Sequence, residues 1–391
     1  MQAQLTPEEI ESYEEYKKFA REYVSKKALN WEHQRGFDNE IIDACRRKGF
    51  LAGTLSKENG GLGWTACQFG FFTEAIARHS PSLSSLFNVH TMVLQSLLRW
   101  GSDQQKSELL PELASGRKLG AICFTEPNAG SDLEGIKTTF VEVGDMIEVS
   151  GSKKWITCGA IADVFIVFGR LGDKPVAILI DKDTPGIKIN PAPEMLGFRA
   201  AHLANIQLNG CMVHKDNLFG HPGTAFRFMA PYALDWGRLS VTWACVGMLR
   251  ACVEETAEFV LRRESFGHAL IEHGSVRSLF TELAIQYDAA LLLTLQATRL
   301  KDAQVAHASN DILTAKYFSS RAIAGQAATA VQLFGARGCE ETGPVARFYR
   351  DAKIMEIIEG STQISEILLA KRYAIRHNNT KKREIETMGQ N

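Results

Sequence analysis

The chain has 391 residues, of which 45% are hydrophobic and 23% are charged. That composition is typical of an ordinary globular protein, and the length suffices for two or three packed modules, so disorder is not expected. The 44 Lys and Arg residues nearly cancel the 45 Asp and Glu residues, which argues against a nucleic-acid or anionic-membrane partner. We therefore expect the partner to be a small molecule or another protein.

The N-terminus and the cysteines bear on the cellular compartment. Met1–Leu5 runs into Glu8 and Glu9 with neither a basic region nor an apolar stretch, so no standard secretory signal is expected. No run of about 18 apolar residues is present that could span a bilayer. The eight cysteines include no C-x-x-C pair, which argues against a disulfide framework or a metal site. These features predict a cytoplasmic, metal-free protein whose cysteines are mostly buried thiols.

The first region, residues 1–119, is predicted to be an N-terminal helical domain. Thr6–Glu9 has the residues of an N-cap, an N1 proline and a capping box, so a helix is expected to begin there. Asp38 opens a second helical stretch. Residues 65–79 and 93–100 carry apolar side chains at three-to-four spacing, which is typical of helices.

Residues 120–225 are predicted to form a small β-domain. Short β-branched and aromatic runs alternate there with turns that contain Gly, Pro, Asp and Lys. The runs are at Val141, Ile147–Val149, Val164–Phe168, Val176–Ile180 and Ile187–Ile189.

Helical periodicity returns in residues 226–378, which are predicted to form a C-terminal four-helix bundle. Val241–Leu261, Val276–Val305 and Ile312–Val331 are each long enough for a packed helix. The polar residues 379–391 are expected to form a flexible tail. The fold class is therefore α+β and multidomain, with a helical, a β and a helical part in that order.

Two segments of the β-domain have residues that suit a heterocyclic cofactor. Ile122–Asp132 combines hydroxyls, amides and glycine in a turn, which can bond a heterocycle edge and phosphate oxygens. Lys154–Thr157 adds an aromatic plane and another hydroxyl. Taken alone, the first segment reads more readily as a turn-rich hairpin, and the second as a core tryptophan at a strand start.

Together these segments resemble the T-E-P-x-A-G-S-D and W-I-T segments of the acyl-CoA dehydrogenase family, and the resemblance extends over essentially the whole chain. It implies a dehydrogenase that uses FAD to oxidise an acyl thioester of CoA or of an acyl-carrier protein. In this region it assigns these residues to FAD: Phe124, Thr125, Gly130, Ser131, Trp155 and Thr157.

Two more segments resemble family motifs that reach the FAD of a neighbouring subunit. Arg263–Gly267 is similar to the R-x-x-F-G motif, which would otherwise be read as a solvated helix end. Gln332–Ala336 looks like the Q-x-F-G-G segment. The resemblance thus implies a homodimer or homotetramer, in which the FAD site is completed by Arg263, Phe266, Gln332 and Gly335.

Residues 351–364 are similar to the D-A-K-x-x-x-I-x-E-G-T-x-Q-I signature, which holds the family's catalytic glutamate. Glu359 is the matching position, and it would remove the α-proton while flavin N5 accepts the β-hydride. Ser361 can cap the following helix, whose positive end favours a carboxylate, whereas apolar burial disfavours it. The direction of the pKa shift is therefore left open. Ser361 and Gln363 are assigned to FAD, and Gly360 to the substrate.

Asp235 and Arg238 resemble residues that bind the pantetheine arm of the thioester. Their plainer interpretation is an ion pair on a helix surface. One branch of the family takes its base from this helix, but Gly237 occupies that position here, so Glu359 has no competitor. The resemblance further implies that the Glu359 backbone amide and a flavin ribityl hydroxyl hold the thioester carbonyl.

The chain departs from the family pattern in three places. Gly274, after His273, stands where the family has a glutamine, which removes one polar contact to the cofactor. Leu196–His202 has Ala or His in place of a usual hydroxyl, and His214 stands where a proline is common. The resemblance therefore assigns no substrate contacts at this end of the β-domain.

Within the family, the Asp-Trp-Gly-Arg turn and the surroundings of Glu359 look most like the carrier-protein-acting dehydrogenases of polyketide and nonribosomal peptide pathways, with short-chain CoA enzymes close. An electron-transfer flavoprotein or another acceptor would reoxidise the flavin. The sequence does not fix the acyl chain, the carrier or the acceptor.

Two alternatives remain: a flavin oxidase reoxidised by dioxygen, and a non-catalytic helical scaffold. A nicotinamide-linked Rossmann enzyme is disfavoured, because Gly60–Gly63 does not lie between a clear strand and helix.

Overall fold

The computed structural model describes residues 5–192 and 194–388, and within them a helical part, a β-sheet and a second helical part follow one another. The helices are α1 (Pro7–Tyr23), α2 (Ala28–Gln34), α3 (Asn39–Lys48), α4 (Ala66–Ala77), α5 (Pro81–Trp100), α6 (Asp103–Ala114), α7 (Ala230–Arg262), α8 (Gly274–Asp302), α9 (Ala308–Phe334), α10 (Pro344–Met355) and α11 (Thr362–Met388). The strands are β1 (Gly120–Cys123), β2 (Thr139–Val143), β3 (Met146–Ile156), β4 (Val164–Leu171), β5 (Lys174–Asp181), β6 (Ile187–Pro191), β7 (Ala204–His214), β8 (Leu218–Phe219), β9 (Glu264–Ser265) and β10 (His268–Ala269). The predicted fold class is confirmed.

The first helices begin at the caps that the sequence indicates. Thr6 Oγ1 accepts from the Glu9 backbone N–H at 3.3 Å, and the Glu9 carboxylate accepts from the Thr6 N–H at 2.9 Å, which is a capping box. Asp38 caps α3 with its side chain alone, which accepts from the Ile41 backbone N–H at 3.2 Å. Helix α2 lies between them without a side-chain cap and was not predicted. Helix α5 is buried from its first residue through Leu97 and forms the centre of this part of the core.

All five predicted β runs lie in strands of one mixed sheet, whose order is β6-β7-β3-β2-β4-β5-β8. Strand β1 pairs in parallel with β4, so the chain leaves the sheet at Phe124. Strand β7, which the sequence analysis did not identify, pairs antiparallel with β3. The β3–β7 register is interrupted between Lys153 and Ile156, and there Trp155 has a φ of +56°. The irregular strand end therefore presents Trp155 away from the regular pleat.

The long helices α7, α8 and α9 pack together as the C-terminal bundle. The indole of Trp243 on α7 donates to Thr298 Oγ1 on α8 at 3.0 Å inside it. Helix α8 ends at Asp302, so Val305 lies outside the helix predicted for it. Helix α11 continues to Met388, into the segment predicted to be a flexible tail; residues 389–391 lie outside the described residues, and the flexibility stays a prediction.

The cysteines are all free thiols, and every one except the exposed Cys339 is buried, as predicted. Among the described residues, no helix combines the length and the apolar composition needed to cross a membrane.

Candidate active site

Glu359 lies in the turn between α10 and α11. Its φ is +54°, and that of the following Gly360 is +97°. A left-handed backbone at a residue other than glycine is unfavourable and persists where the surroundings fix it, often at functional sites. Ser361 Oγ accepts from the Ile364 backbone N–H at 3.4 Å and caps α11. The carboxylate thus belongs to a residue just before a helix N-terminus, as the sequence indicates.

The Glu359 side chain lies between α5 and α7. Its Oε1 accepts from Asn88 Nδ2 on α5 at 3.2 Å. On the α7 side, a Cβ placed on Gly237 would be 2.3 Å from Oε2, so the carboxylate fills the space that a side chain would need. Oε2 is buried and has no hydrogen-bond partner among the described residues. One oxygen of the carboxylate is therefore available to a ligand.

Two cations hold the main chain of this turn. Arg238 Nε donates to the Glu359 carbonyl oxygen at 3.2 Å, and Lys316 Nζ donates to the Gly360 carbonyl oxygen at 2.7 Å. Lys316 is fully buried, and burial lowers its pKa to about 8. Burial also lowers the pKa of Arg238. These bonds fix both residues of the strained turn and place positive charge near the carboxylate.

Burial decides the pKa of Glu359. Loss of water raises the pKa of this carboxyl to about 7, although the Asn88 hydrogen bond and the charges of Arg238 and Lys316 act to lower it. The sequence left the direction open, and in the structure desolvation outweighs the Asn88 hydrogen bond and the two nearby charges. A carboxylate with a pKa near 7 is suited to accept a proton at neutral pH.

The neighbouring charged residues differ in their surroundings. Asp235 and Arg238 form an ion pair at 3.6 Å, and their side chains are only 17% and 12% exposed. The pair is thus more buried than the helix-surface interpretation implies. Ser309 also donates to Asp235. Glu356, one turn before Glu359, instead pairs with Lys353 at 2.8 Å.

The two cofactor-binding candidates of the β-domain lie side by side. The Lys154 backbone N–H donates to the Thr125 carbonyl at 2.9 Å, which places Trp155 next to the end of β1. Trp155 is 42% exposed, an unusual amount for an indole beside a sheet. Phe124 packs on Phe168 with ring centroids 4.3 Å apart. Of the other candidates, Thr157 is half-buried, and Gly130 and Ser131 are exposed. Together they offer an exposed aromatic ring next to a segment that carries hydroxyls.

Short chains of contacts connect this surface with the Glu359 turn. In the loop Leu196–His202, the Ala201 carbonyl accepts from the Cys158 N–H at 3.0 Å, and the Phe198 N–H donates to Asp351 Oδ1 on α10 at 2.7 Å. On the other side, α5 carries both Asn88 and His90, whose Nδ1 accepts from the Gly120 N–H at the start of β1 at 3.2 Å. The cofactor-binding candidates of the β-domain are thus linked to the Glu359 turn through α5 and α10.

The histidines at the departures from the family pattern have structural partners. His202 Nε2 lies 2.9 Å from the Phe37 carbonyl, so it carries the proton, and the Phe37 ring meets the imidazole edge-on at 4.5 Å. His273 Nε2 bonds the Ser265 carbonyl at 3.0 Å and braces the β9–β10 hairpin. His214 caps the turn after β7. Each of them stabilises a local junction.

The second group of FAD candidates lies at one end of the helix bundle. The Phe259 and Phe334 rings stack at 4.3 Å, which brings the end of α7 next to the end of α9. Arg263, Phe266, Gln332 and Gly335 are all exposed there, as is Gln363 at the start of α11. Phe266 is 93% exposed, with a φ of +51°. The structure thus groups the first four residues on an open surface of this chain.

Sequence reasoning missed Asn88 and Lys316. Lys316 shares the inward face of α9 with Ile312 and Ile323. A lysine at a position where the helical pattern expects an apolar residue was therefore a usable signal of a buried, functional charge. Asn88 had no such signal, since α5 is buried on all sides around it.

Comparisons with known proteins agree with this architecture. Models of the N-terminal, middle and C-terminal domains of acyl-CoA dehydrogenase match residues 6–117, 121–211 and 228–374. Glutaryl-CoA dehydrogenase of Desulfococcus multivorans is 31% identical over 369 residues, which cover 90% of this chain and 94% of that protein.

Two solved structures are similar over nearly their full length. FkbI, for biosynthesis of the methoxymalonyl extender unit of the polyketide Fk520, has a TM-score of 0.86 and 31% identity and covers 92% of this chain and 99% of its own. Butyryl-CoA dehydrogenase of Megasphaera elsdenii has a TM-score of 0.90 and 26% identity, with 95% and 99% covered. With three domain matches in order and a relative at 31% identity, the chain belongs to the acyl-CoA dehydrogenase family of oxidoreductases.

Proposed function

We propose that this protein uses FAD to introduce a double bond between the α- and β-carbons of an acyl thioester, with Glu359 as the base. The observation that carries the proposal is the carboxylate itself. It is buried between two helices, its pKa is raised to about 7, and Oε2 has no partner. A base in a dry site with a free oxygen suits removal of a proton from carbon.

The residues present fit FAD. Thr125, Ser131 and Thr157 supply hydroxyls, the exposed Trp155 supplies an aromatic face, and the space around a Cβ at Gly130 is open. Phe124 stands behind this surface, and Ser361 and Gln363 begin α11 beside the base. When bound, FAD supplies the acceptor for the hydride that leaves the β-carbon.

The chain's own residues handle the proton. Glu359 takes the proton of the α C–H bond, and that electron pair forms the double bond as the β-hydrogen leaves with its electrons. The Glu359 backbone N–H would donate to the thioester carbonyl, which acidifies the α-carbon. Arg238 and Lys316 hold the carbonyls of the turn, so they orient this donor and the base together. Asp235 and Arg238 would contact the pantetheine arm, and Gly360 would contact the substrate.

A second copy of the chain would complete the FAD site. Arg263, Phe266, Gln332 and Gly335 share one exposed end of the bundle, and a phenylalanine that is 93% exposed is costly in water. Large apolar side chains are also exposed on α8 and α11, including Ile285 and Ile367 at 56% and 64%. These surfaces support a homodimer or a homotetramer.

The carrier of the acyl group is proposed to be an acyl-carrier protein, with CoA as the alternative. This preference is supported by the similarity to FkbI, whose described role is in polyketide extender-unit biosynthesis. An electron-transfer flavoprotein is the proposed acceptor of the electrons.

The test is the visible flavin spectrum of the purified protein under anaerobic conditions, before and after addition of acyl-CoA and acyl-carrier-protein thioesters. We expect one of them to bleach the flavin. Glu359→Gln should retain the flavin and be reduced at least about 10³-fold more slowly, within the range of a lost general base. Glu356→Gln is the matched control and should be reduced at the wild-type rate. Normal reduction of Glu359→Gln would refute the assignment, and oxygen consumption after reduction would identify an oxidase.

A further inference from the structure

Asn88 has one half of its side-chain amide engaged and the other half free. Its Nδ2 donates to Glu359 Oε1 at 3.2 Å. The residue is only 7% exposed, and its Oδ1 is buried without a hydrogen-bond partner among the described residues. Buried amide oxygens are nearly always paired in folded proteins, so a free one beside a base indicates a place for a ligand.

The charge of Glu359 determines which atom of the Asn88 amide is left without a partner. If the amide were rotated by half a turn, Oδ1 would face the Glu359 carboxylate, and two acceptors would repel each other. The N–H group must therefore face the base when it is ionised. The open position beside the base is a hydrogen-bond acceptor and not a donor.

The adjoining turn of α5 also presents hydrogen-bond acceptors. Ser84 and Ser85 lie four and three residues before Asn88, on the same side of the helix. Their hydroxyls donate to the carbonyls of Pro81 at 2.7 Å and Ser82 at 2.6 Å. Their hydrogens are thus used within the helix, and only oxygen lone pairs remain for a ligand. This side of α5 offers acceptors where an aliphatic chain would need apolar side chains.

We propose that Asn88 determines specificity by selecting acyl groups that carry a hydroxyl or amino donor close to the reacting carbons. The inference rests on the proposed function, because it places the α-carbon at Glu359. A base lies roughly 3 Å from the carbon it deprotonates, and a hydrogen bond to Oδ1 spans a similar distance, so the donor belongs near the β- or γ-carbon.

Other acyl groups fit this position less well. An aliphatic chain would leave Oδ1 unpaired, and sites built for a polar substrate discriminate strongly against analogues that lack the polar group. A carboxylate on the acyl chain would bring no donor and would place a negative charge beside Glu359. The free acceptor of Asn88 therefore favours an acyl group that carries a hydroxyl or amino donor.

The experiment compares pairs of thioesters in which a hydroxyl replaces a methyl group, and each acyl group is supplied both on CoA and on an acyl-carrier protein. The pairs are 4-hydroxybutanoyl with pentanoyl and 3-hydroxybutanoyl with 3-methylbutanoyl, and 4-aminobutanoyl tests an amine. The readout is the ratio of second-order rate constants for anaerobic flavin reduction within each pair. We expect the wild type to favour a donor-bearing thioester at least about tenfold in one pair.

Asn88→Leu keeps the size of the side chain and removes both hydrogen bonds. The substitution alters the surroundings of Glu359 equally for both thioesters of a pair. A change in the ratio of their rate constants therefore reports only the contact between residue 88 and the acyl group. We expect the ratio to fall to about one in this variant. Ser96→Ala is the matched control, since it removes another buried, unpartnered oxygen from α5 two turns away, and it should leave the ratio unchanged. Asn88→Ala replaces Asn88→Leu if the leucine variant does not fold.

The outcomes separate this inference from the proposed function. If the thioesters reduce the flavin but neither pair shows a preference for the donor, the role of Asn88 is wrong and the dehydrogenase proposal stands. A preference that survives in Asn88→Leu, or that is lost in Ser96→Ala, also overturns the role of Asn88. If neither CoA nor carrier-protein thioesters reduce the flavin, the proposed function itself fails.

Discussion

The missing side chain of Gly237 provides the space that the Glu359 carboxylate occupies. A Cβ on Gly237 would lie 2.3 Å from Oε2 and 2.4 Å from the carboxyl carbon, well inside van der Waals contact. Gly237 is also the position from which one branch of the family supplies its base. In this chain, a side chain on α7 at position 237 cannot coexist with the Glu359 carboxylate where it lies, so the two candidate positions for a base exclude each other sterically.

Gly237→Ala should consequently displace the base without removing it. We expect flavin reduction by substrate to slow by about 10²-fold, as a displacement of roughly 1 Å can do, while the flavin stays bound. Stopped-flow reduction under anaerobic conditions measures the rate. Gly325→Ala is the control, because it is also a glycine within a long helix and a Cβ there meets nothing within 4 Å. Equal rates in the two variants would show that the carboxylate does not work from this position.

The raised pKa of Glu359 predicts a pH dependence. Only the ionised carboxylate accepts a proton, so kcat/KM should rise with pH and level off above about 7, where burial places the pKa. The Lys316 charge lowers this pKa, and its removal in Lys316→Met should move the rising limb to higher pH. Lys353→Met, on the exposed side of α10, is the control and should keep the wild-type profile. A rising limb near pH 4.5 in the wild type would mean that the carboxylate is solvated during reaction.

The same shift predicts an effect on stability. Because the pKa of Glu359 is 4.5 when solvated and about 7 in the folded protein, the folded state binds this proton more tightly between those values. The group therefore contributes a loss of stability that grows as pH rises from 4.5 to 7 and is constant above that. Glu359→Gln should remove this loss and raise the free energy of unfolding at pH 8 by up to about 3 kcal/mol, with little difference at pH 4. Thermal unfolding of both proteins across pH measures it, and a difference independent of pH would contradict the assignment.

The order of the three parts was predictable because each rests on a local pattern. Caps such as Thr6 and Asp38 act within a few residues, and the β-branched runs of β4 and β5 identify buried strands from composition alone. Strand β7 was missed because it contains no continuous β-branched run; the alternation of apolar residues with Asn205 and Gln207 was the usable signal of a half-buried strand.

The residues of the candidate site could be proposed from the sequence only where a motif contains them. Glu359 stands in a recognisable signature, whereas Asn88 reaches it from α5 across 271 positions of sequence. The bond depends on how α5 packs against α7, which no local pattern specifies. The pKa of Glu359 was likewise undecidable, since it depends on burial by three helices that are far apart in sequence.

Arg263 offers a test of the shared cofactor site. It follows α7 and is exposed in the single chain, where its backbone continues into the β9–β10 hairpin. If it reaches the FAD pyrophosphate of a second copy, Arg263→Ala should weaken FAD binding by roughly tenfold or more and favour dissociation of the assembly at the same time. Flavin content after dialysis and sedimentation velocity report the two effects.

Arg262→Ala is the matched control for this prediction. Arg262 is the preceding residue and pairs with Glu258 on the solvent side of α7, with 78% of its side chain exposed. Exposed pairs of this kind contribute little, so its loss should change neither FAD content nor assembly. Loss of FAD in both variants would indicate a general effect of positive charge at this end of the bundle. Unchanged FAD binding in Arg263→Ala would mean that each chain holds its cofactor alone, and the exposed Phe266 would then need a different partner.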